Sequence, residues 1–131
     1  MRQTKEEFYM NIAKKVLERS SCTRLHVGAL ILNEEMTQII SMGYNGNVKG
    51  GSNKCDSTEP GNCGCIHAEV NALIKPRPNE GKVMVVTHSP CKACSKLIVN
   101  AGIEKVYYGT DYRIPDGLNL LKKHKIKIVK V

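Results

Sequence analysis

Between residues 4 and 19, apolar side chains recur at the helical period. Phe8, Ile12 and Val16, with Ala13 and Leu17, form one stripe. Thr4 and Glu7 have capping-box spacing, so a helix over 4–19 is predicted. The pattern then shortens. Residues 27–32 and 38–42 read as two strands joined around Asn33-Glu34-Glu35-Met36, a hairpin. Residues 44–64 form a loop rich in Gly, Asn and Ser. A short helix over 66–75 ends at Pro76-Arg77-Pro78, where proline cannot continue it.

The β-branched apolar run 82–87 predicts a buried strand. Ser89-Pro90 then reads as an N-cap and a first helical residue, and Gly102 as the stop of that helix. A strand over 106–109, a helix over 115–124 and an alternating strand over 126–131 complete the chain. Strand, helix and strand in this order imply a parallel, right-handed crossover. The expectation is an α/β fold, a three-layer α/β/α arrangement around a five-stranded mixed sheet, without internal repeats.

Length and charge narrow the function. The 131 residues predict a single domain, 1–131, large enough for a core without disulfides. Arg2, Lys5, Glu6 and Glu7 stand where a signal peptide would need an apolar run, and no stretch is long enough to span a membrane. Six cysteines in such a chain suit metal binding in a reducing compartment, so a cytoplasmic location is expected. The net charge of +8 favours anionic partners, although a merely solvated surface accounts for it nearly as well. With no Trp and one Phe there is little for bases to stack on, so nucleic acid is not the expected partner.

The decisive chemistry is His67-Ala68-Glu69 followed by Pro90-Cys91-Lys92-Ala93-Cys94. His67, Cys91 and Cys94 supply three ligands for one zinc, which leaves a fourth tetrahedral position open, the mark of a catalytic site. Cys91 and Cys94 lie three apart on one helical face, near the positive end of the helix, which favours thiolates. Glu69 is a carboxylate beside the open position that need not be a ligand. Either half alone would mean little, since His-x-Glu is common on helices and Cys-x-x-Cys also serves zinc ribbons and redox pairs. Together they match the signature of zinc-dependent nucleobase deaminases.

The chain resembles the deoxycytidylate (dCMP) deaminases of the cytidine deaminase-like superfamily, some of them phage-encoded, over nearly its whole length. The resemblance rests on the zinc motif and on Cys22-Thr23-Arg24-Leu25-His26-Val27-Gly28-Ala29, Gly43-Tyr44-Asn45-Gly46, Ile66-His67-Ala68-Glu69-Val70-Asn71-Ala72-Leu73, and Val106-Tyr107-Tyr108 through Asp111-Tyr112. It implies hydrolysis of dCMP to dUMP and ammonia, in the supply of dTTP precursors. Zinc would make water nucleophilic near neutral pH, and Glu69 would act as both base and acid.

The same resemblance implies that Asn45 bonds the sugar, that the backbone of Ala68 meets the base, that Arg24 binds phosphate and that Tyr112 packs near the nucleotide. Asn45-Gly46 also suits a plain turn, Arg24 a surface ion pair and Tyr112 the edge of the core. His88 matches no ligand and reads as a local hydrogen-bonding residue. Cys22, Cys55, Cys63 and Cys65 are implied to hold a second, structural zinc that staples the loop to the first hairpin, with His26 an alternative to Cys63 or Cys65. Buried free thiols are the other reading of these four. Family members are often hexamers, activated by dCTP and inhibited by dTTP, with Mg²⁺ on the effector phosphates; the glycine-rich stretch 46–51 is the candidate for that contact. Competing readings are a deaminase acting on dCTP, tRNA adenosine or a riboflavin-pathway intermediate, and a non-catalytic zinc-stabilised binding module.

Overall fold

The computed structural model describes residues 2–57, 63–112 and 114–131. Five residues of the cysteine-bearing loop, 58–62, therefore lie outside the described part. In chain order the elements are α1 (Lys5–Val16), β1 (Gly28–Leu32), β2 (Ile39–Tyr44), α2 (Ala68–Leu73), β3 (Val83–His88), α3 (Lys92–Asn100), β4 (Lys105–Thr110), α4 (Asp116–Lys123) and β5 (Lys127–Lys130), with a 3₁₀ turn at Leu17–Arg19 after α1. The sheet order is β2-β1-β3-β4-β5. β1 is antiparallel to both β2 and β3, while β3, β4 and β5 run parallel, so the sheet is mixed as expected.

Alternation along the central strands sorts side chains into two cores. Leu30 and Leu32 of β1 with Val83 and Val85 of β3 meet Tyr9, Met10, Ala13 and Val16 of α1 on one face. Ala29, Ile31, Met84 and Val86 point the other way, into a second cluster with Ala68, Ala72, Ile98 and Leu121 from α2, α3 and α4. These residues are all buried, as befits strands covered on both faces. The result is the three-layer sandwich read from the sequence.

Boundaries moved where local chemistry competed. Thr4 caps α1 with the expected capping box, its hydroxyl accepting from Glu7 N–H and the Glu7 carboxylate accepting from Thr4 N–H. The predicted 66–75 helix shortens to Ala68–Leu73, with His67 in extended backbone as its N-cap. Cys91, not Ser89, caps α3, and Pro90 lies outside the helix. Ser89 is occupied elsewhere: its N–H donates to the Thr110 carbonyl and its hydroxyl accepts from Tyr112 N–H at 2.6 Å.

Two glycines set how closely the helices approach the site. A Cβ on Gly43 would strike the Ala68 carbonyl and Ala72 nitrogen, so only glycine lets α2 lie this close on β2. A Cβ on Gly117 would strike the Pro90 carbonyl and the Cys91 backbone, so α4 packs directly over the start of α3.

Candidate active site

Two helix starts and the end of β3 converge on one pocket. α2 begins at His67 and α3 at Cys91, so both ligand segments sit where backbone N–H groups are unpaired and local potential is positive. The Cys91 sulfur accepts the Cys94 N–H at 3.5 Å, so a ligand atom is also the helix cap. His67 Nδ1 lies 3.2 Å from Cys94 Sγ and 3.6 Å from Cys91 Sγ. Tetrahedral zinc, with bonds of about 2.0–2.1 Å to nitrogen and 2.3 Å to sulfur, sets a ligand separation of about 3.6 Å, so the three atoms fit that ion. No fourth side chain joins this cluster among the described residues, which leaves it open.

Electrostatics agree with that use. The Cys94 thiol donates to Cys91, and with the Cys94 N–H and the His67 ring it draws the Cys91 thiol down to about 4. Cys94, sharing that hydrogen bond and buried, is pushed the other way. The bond to Cys91 raises His67 against the effect of burial. A thiolate at Cys91 is thus favoured before any cation arrives. Glu69, in the first turn of α2, is only 5% exposed. Burial lifts its carboxyl to about 7, with His67 opposing. Such a group can take and return a proton near neutrality.

A second sulfur cluster adjoins the first. Cys22, Cys55, Cys63 and Cys65 bring all four Sγ atoms within 4.8 Å of one another. Cys22 to Cys63 is 3.9 Å, Cys55 to Cys22 is 3.8 Å and Cys55 to Cys65 is 3.4 Å. Four thiolates around zinc at about 2.3 Å stand about 3.8 Å apart, so this quartet also has the dimensions of a tetrahedral sulfur site. The Thr23 hydroxyl and N–H, both 3.4 Å from Cys55 Sγ, hold that thiol down at about 6. Burial pushes Cys65 upward. His26 is exposed and belongs to neither cluster, so all four cysteines, with no substitution, make the set. Cys22 lies ahead of β1, so the quartet brings the loop beside the segment before the hairpin rather than the hairpin itself.

The pocket between the clusters measures about 180 Å³ and is lined by residues from both. Arg24, Asn45, Ala68 and Tyr112 all reach it. Ala68 and Asn45 are buried, Tyr112 is half-buried and Arg24 is exposed. Asn45 is more engaged than a turn residue would be. Its Oδ1 accepts from Ser20 Oγ at 2.7 Å and from Val27 N–H at 2.9 Å, and its Nδ2 donates to the Leu25 carbonyl. Asn45 lines the pocket, and its amide has a second N–H beyond the one given to Leu25.

The segment over residues 3–110 matches the model of the cytidine and deoxycytidylate deaminase zinc-binding region. The chain belongs to this deaminase family. ComE operon protein 2 of Bacillus subtilis is 36% identical over 121 residues, covering 82% of this chain and 60% of that protein. The deoxycytidylate deaminase of Mycobacterium phage D29 is 34% identical over 120 residues, covering 79% of this chain and 92% of the relative. The crystal structure of the cyanophage S-TIM5 dCMP deaminase with dCMP and dUMP superposes with a TM-score of 0.86 at 34% identity, covering 100% of this chain and 99% of that one. The chain thus spans less than two thirds of the Bacillus relative and under half of the Saccharomyces cerevisiae deoxycytidylate deaminase, but nearly all of these two phage proteins.

For a member of this deaminase family, the sequence motif pointed to the ligand trio and Glu69, and the structure brings them together. Sequence reasoning passed over Leu25, Val27 and Ser89, which also line the pocket, and treated His88 only as a local partner. His88 Nδ1 does lie 3.4 Å from Thr87 Oγ1, and burial lowers its pKa, but its ring also faces the pocket. The signal available was position: β3 ends at His88, and in a sheet of this kind the crevice lies at the carboxyl ends of the parallel strands.

Proposed function

We propose that this chain is a hydrolase that converts dCMP to dUMP and ammonia, in the supply of dTTP precursors. The observation that supports this most is a buried, uncoordinated Glu69 beside a three-ligand cluster at a pocket. A closed structural site has no use for such a carboxylate. The cyanophage relative was crystallised with dCMP and dUMP, which supports the choice of substrate.

His67, Cys91 and Cys94 would hold the catalytic zinc. That ion, when bound, is a Lewis acid that makes water nucleophilic near neutral pH. Glu69 removes one proton of the attacking water and delivers it to ring N3, then takes the second proton from the new C4 hydroxyl and passes it to the departing amine. One C4–O bond forms and the C4–N4 bond breaks. Burial shields Glu69 from bulk solvent and strengthens its interaction with the one reacting water. The Ala68 backbone faces the base, the second Asn45 N–H the sugar, Arg24 the phosphate through paired guanidinium donors, and Tyr112 flanks the nucleotide.

The finer reading extends to one domain spanning 1–131, a second zinc at Cys22, Cys55, Cys63 and Cys65, a hexamer and a cytoplasmic location, in the host if the chain is phage-encoded. It also includes regulation by dCTP and dTTP, with Mg²⁺ on their phosphates and residues 46–51 as the contact. No described helix is long and apolar enough to cross a membrane, in keeping with a small-molecule enzyme. The test is deamination of dCMP by zinc-loaded protein, followed by ultraviolet absorbance with and without dCTP and Mg²⁺. Turnover stimulated by dCTP is expected. No turnover with zinc confirmed at the trio would overturn the assignment.

A further inference from the structure

The quartet shares its walls with the pocket. Cys22, Cys63 and Cys65 line the same cavity as His67 and Glu69, whereas Cys55 does not reach it. Cys22 stands two residues before Arg24 and Cys65 two before His67.

The Asn45 amide anchors Leu25 and Val27 on the C-terminal side of Arg24, but on its N-terminal side the chain has little besides the quartet to hold it. Residues 20–27 contain neither helix nor strand, and Thr23 to His26 are all exposed. What fixes them is polar. Cys22 N–H donates to Ser20 Oγ at 3.3 Å, and the Ser20 hydroxyl also reaches Asn45. Thr23 N–H donates to Cys55 Sγ. Opposite, residues 63–66 are tied by Asp56 N–H to the Cys63 carbonyl at 2.7 Å and by the paired bonds of Gly46 and Ile66. The four sulfurs are where these segments meet.

We infer that the quartet sets the nucleotide affinity of the pocket: a thiophilic cation on Cys22, Cys55, Cys63 and Cys65 fixes the 20–27 segment against 63–67, and Cys55 is a positioning residue for substrate. The inference rests on the second-metal reading given above. Its logic is that of preorganisation. A ligand that must order loose side chains binds more weakly than one that meets them already fixed. Losing the cation frees Thr23 and Arg24, on the side not held by Asn45, while α2, α3 and β3 keep the trio in place. Nucleotide affinity then falls without loss of the catalytic zinc.

Cys55→Ala tests this, because it removes a quartet sulfur that touches neither the trio nor the pocket. The readouts are zinc per chain by metal analysis and the Kd of dUMP by calorimetry, dUMP being a probe that is not consumed. Expected are two zinc per wild-type chain and one per Cys55→Ala chain, with the dUMP Kd raised by about tenfold or more. Cys55→His, which restores a ligand, should recover both. Should Cys55→Ala fail to fold, wild-type protein loaded stepwise from one zinc to two gives the same comparison. Two zinc in the wild type with an unchanged dUMP Kd on losing one overturns the inference alone. One zinc in the wild type overturns the second-metal reading beneath it. Two zinc with no dUMP binding and no dCMP turnover overturns the deaminase assignment.

Discussion

Cys91 and Cys94 stand at the cap and first turn of α3, and His67 caps α2, so the trio is placed by element ends packed against the sheet. Cys22, Cys55, Cys63 and Cys65 come from segments with neither helix nor strand. The trio is therefore built by the fold and can accept a metal without reorganising. With the second zinc proposed above, the quartet would be built largely by what binds it, in the manner of small sites whose metal binding is also folding. Catalysis tolerates little displacement, which explains why the reacting groups sit on the rigid side.

The sharpest way to break the comparison is Glu69→Gln. If the trio is fixed by the fold, the variant keeps its zinc while kcat falls by about 10²–10⁴-fold, the usual contribution of a general acid–base. Metal analysis and dCMP kinetics decide this, and a variant with full turnover would remove Glu69 from the chemistry. The same residue carries a pH signature. A carboxyl at about 7 when folded and near 4.5 when unfolded binds its proton more tightly in the folded protein. Its burial is tolerated below pH 4.5, and stability is lost as pH rises through 7. Metal-free wild type should thus lose about 3 kcal/mol relative to metal-free Glu69→Gln between pH 4.5 and 8. Paired denaturant titrations measure it, and zinc should shrink the difference by favouring the anion.

Gly117→Ala probes the rigid side from behind, by forcing α4 off the Pro90–Cys91 backbone. A loss of about 1–3 kcal/mol is expected from overpacking, with dCMP turnover lowered more than quartet zinc content. The smallest effect belongs to a position remote from both clusters. Thr4→Ala removes the α1 cap and should cost about 1 kcal/mol in thermal unfolding while leaving dCMP kinetics unchanged.

Much of this was legible in the sequence because its causes are local. The capping box at Thr4 and Glu7, the apolar runs of β1 and β3, and the spacing of Cys91 and Cys94 all act within a few residues. The missed details depend on partners far along the chain. Ser89 looked like a cap but is spent on Thr110 and Tyr112, so the Cys91 sulfur caps α3 instead. Asn45 looked like a turn residue or a sugar contact, yet most of its amide is used on Ser20, Leu25 and Val27. No periodicity announces such a network.

The antiparallel pairing of β1 with β3 also governs how the protein comes into being. Residues 29–32 meet residues 83–86, so the fifty residues between them must be looped out before the centre of the sheet can close. Such non-local closure is slow relative to hairpin formation. All six thiols lie within or beside that span, and on a ribosome the first four emerge before Cys91 does. A nascent chain therefore offers a sulfur-rich segment to passing metal ions and oxidants before its catalytic trio is complete. Refolding yields should consequently depend on zinc and reductant being present from the start, not added at the end.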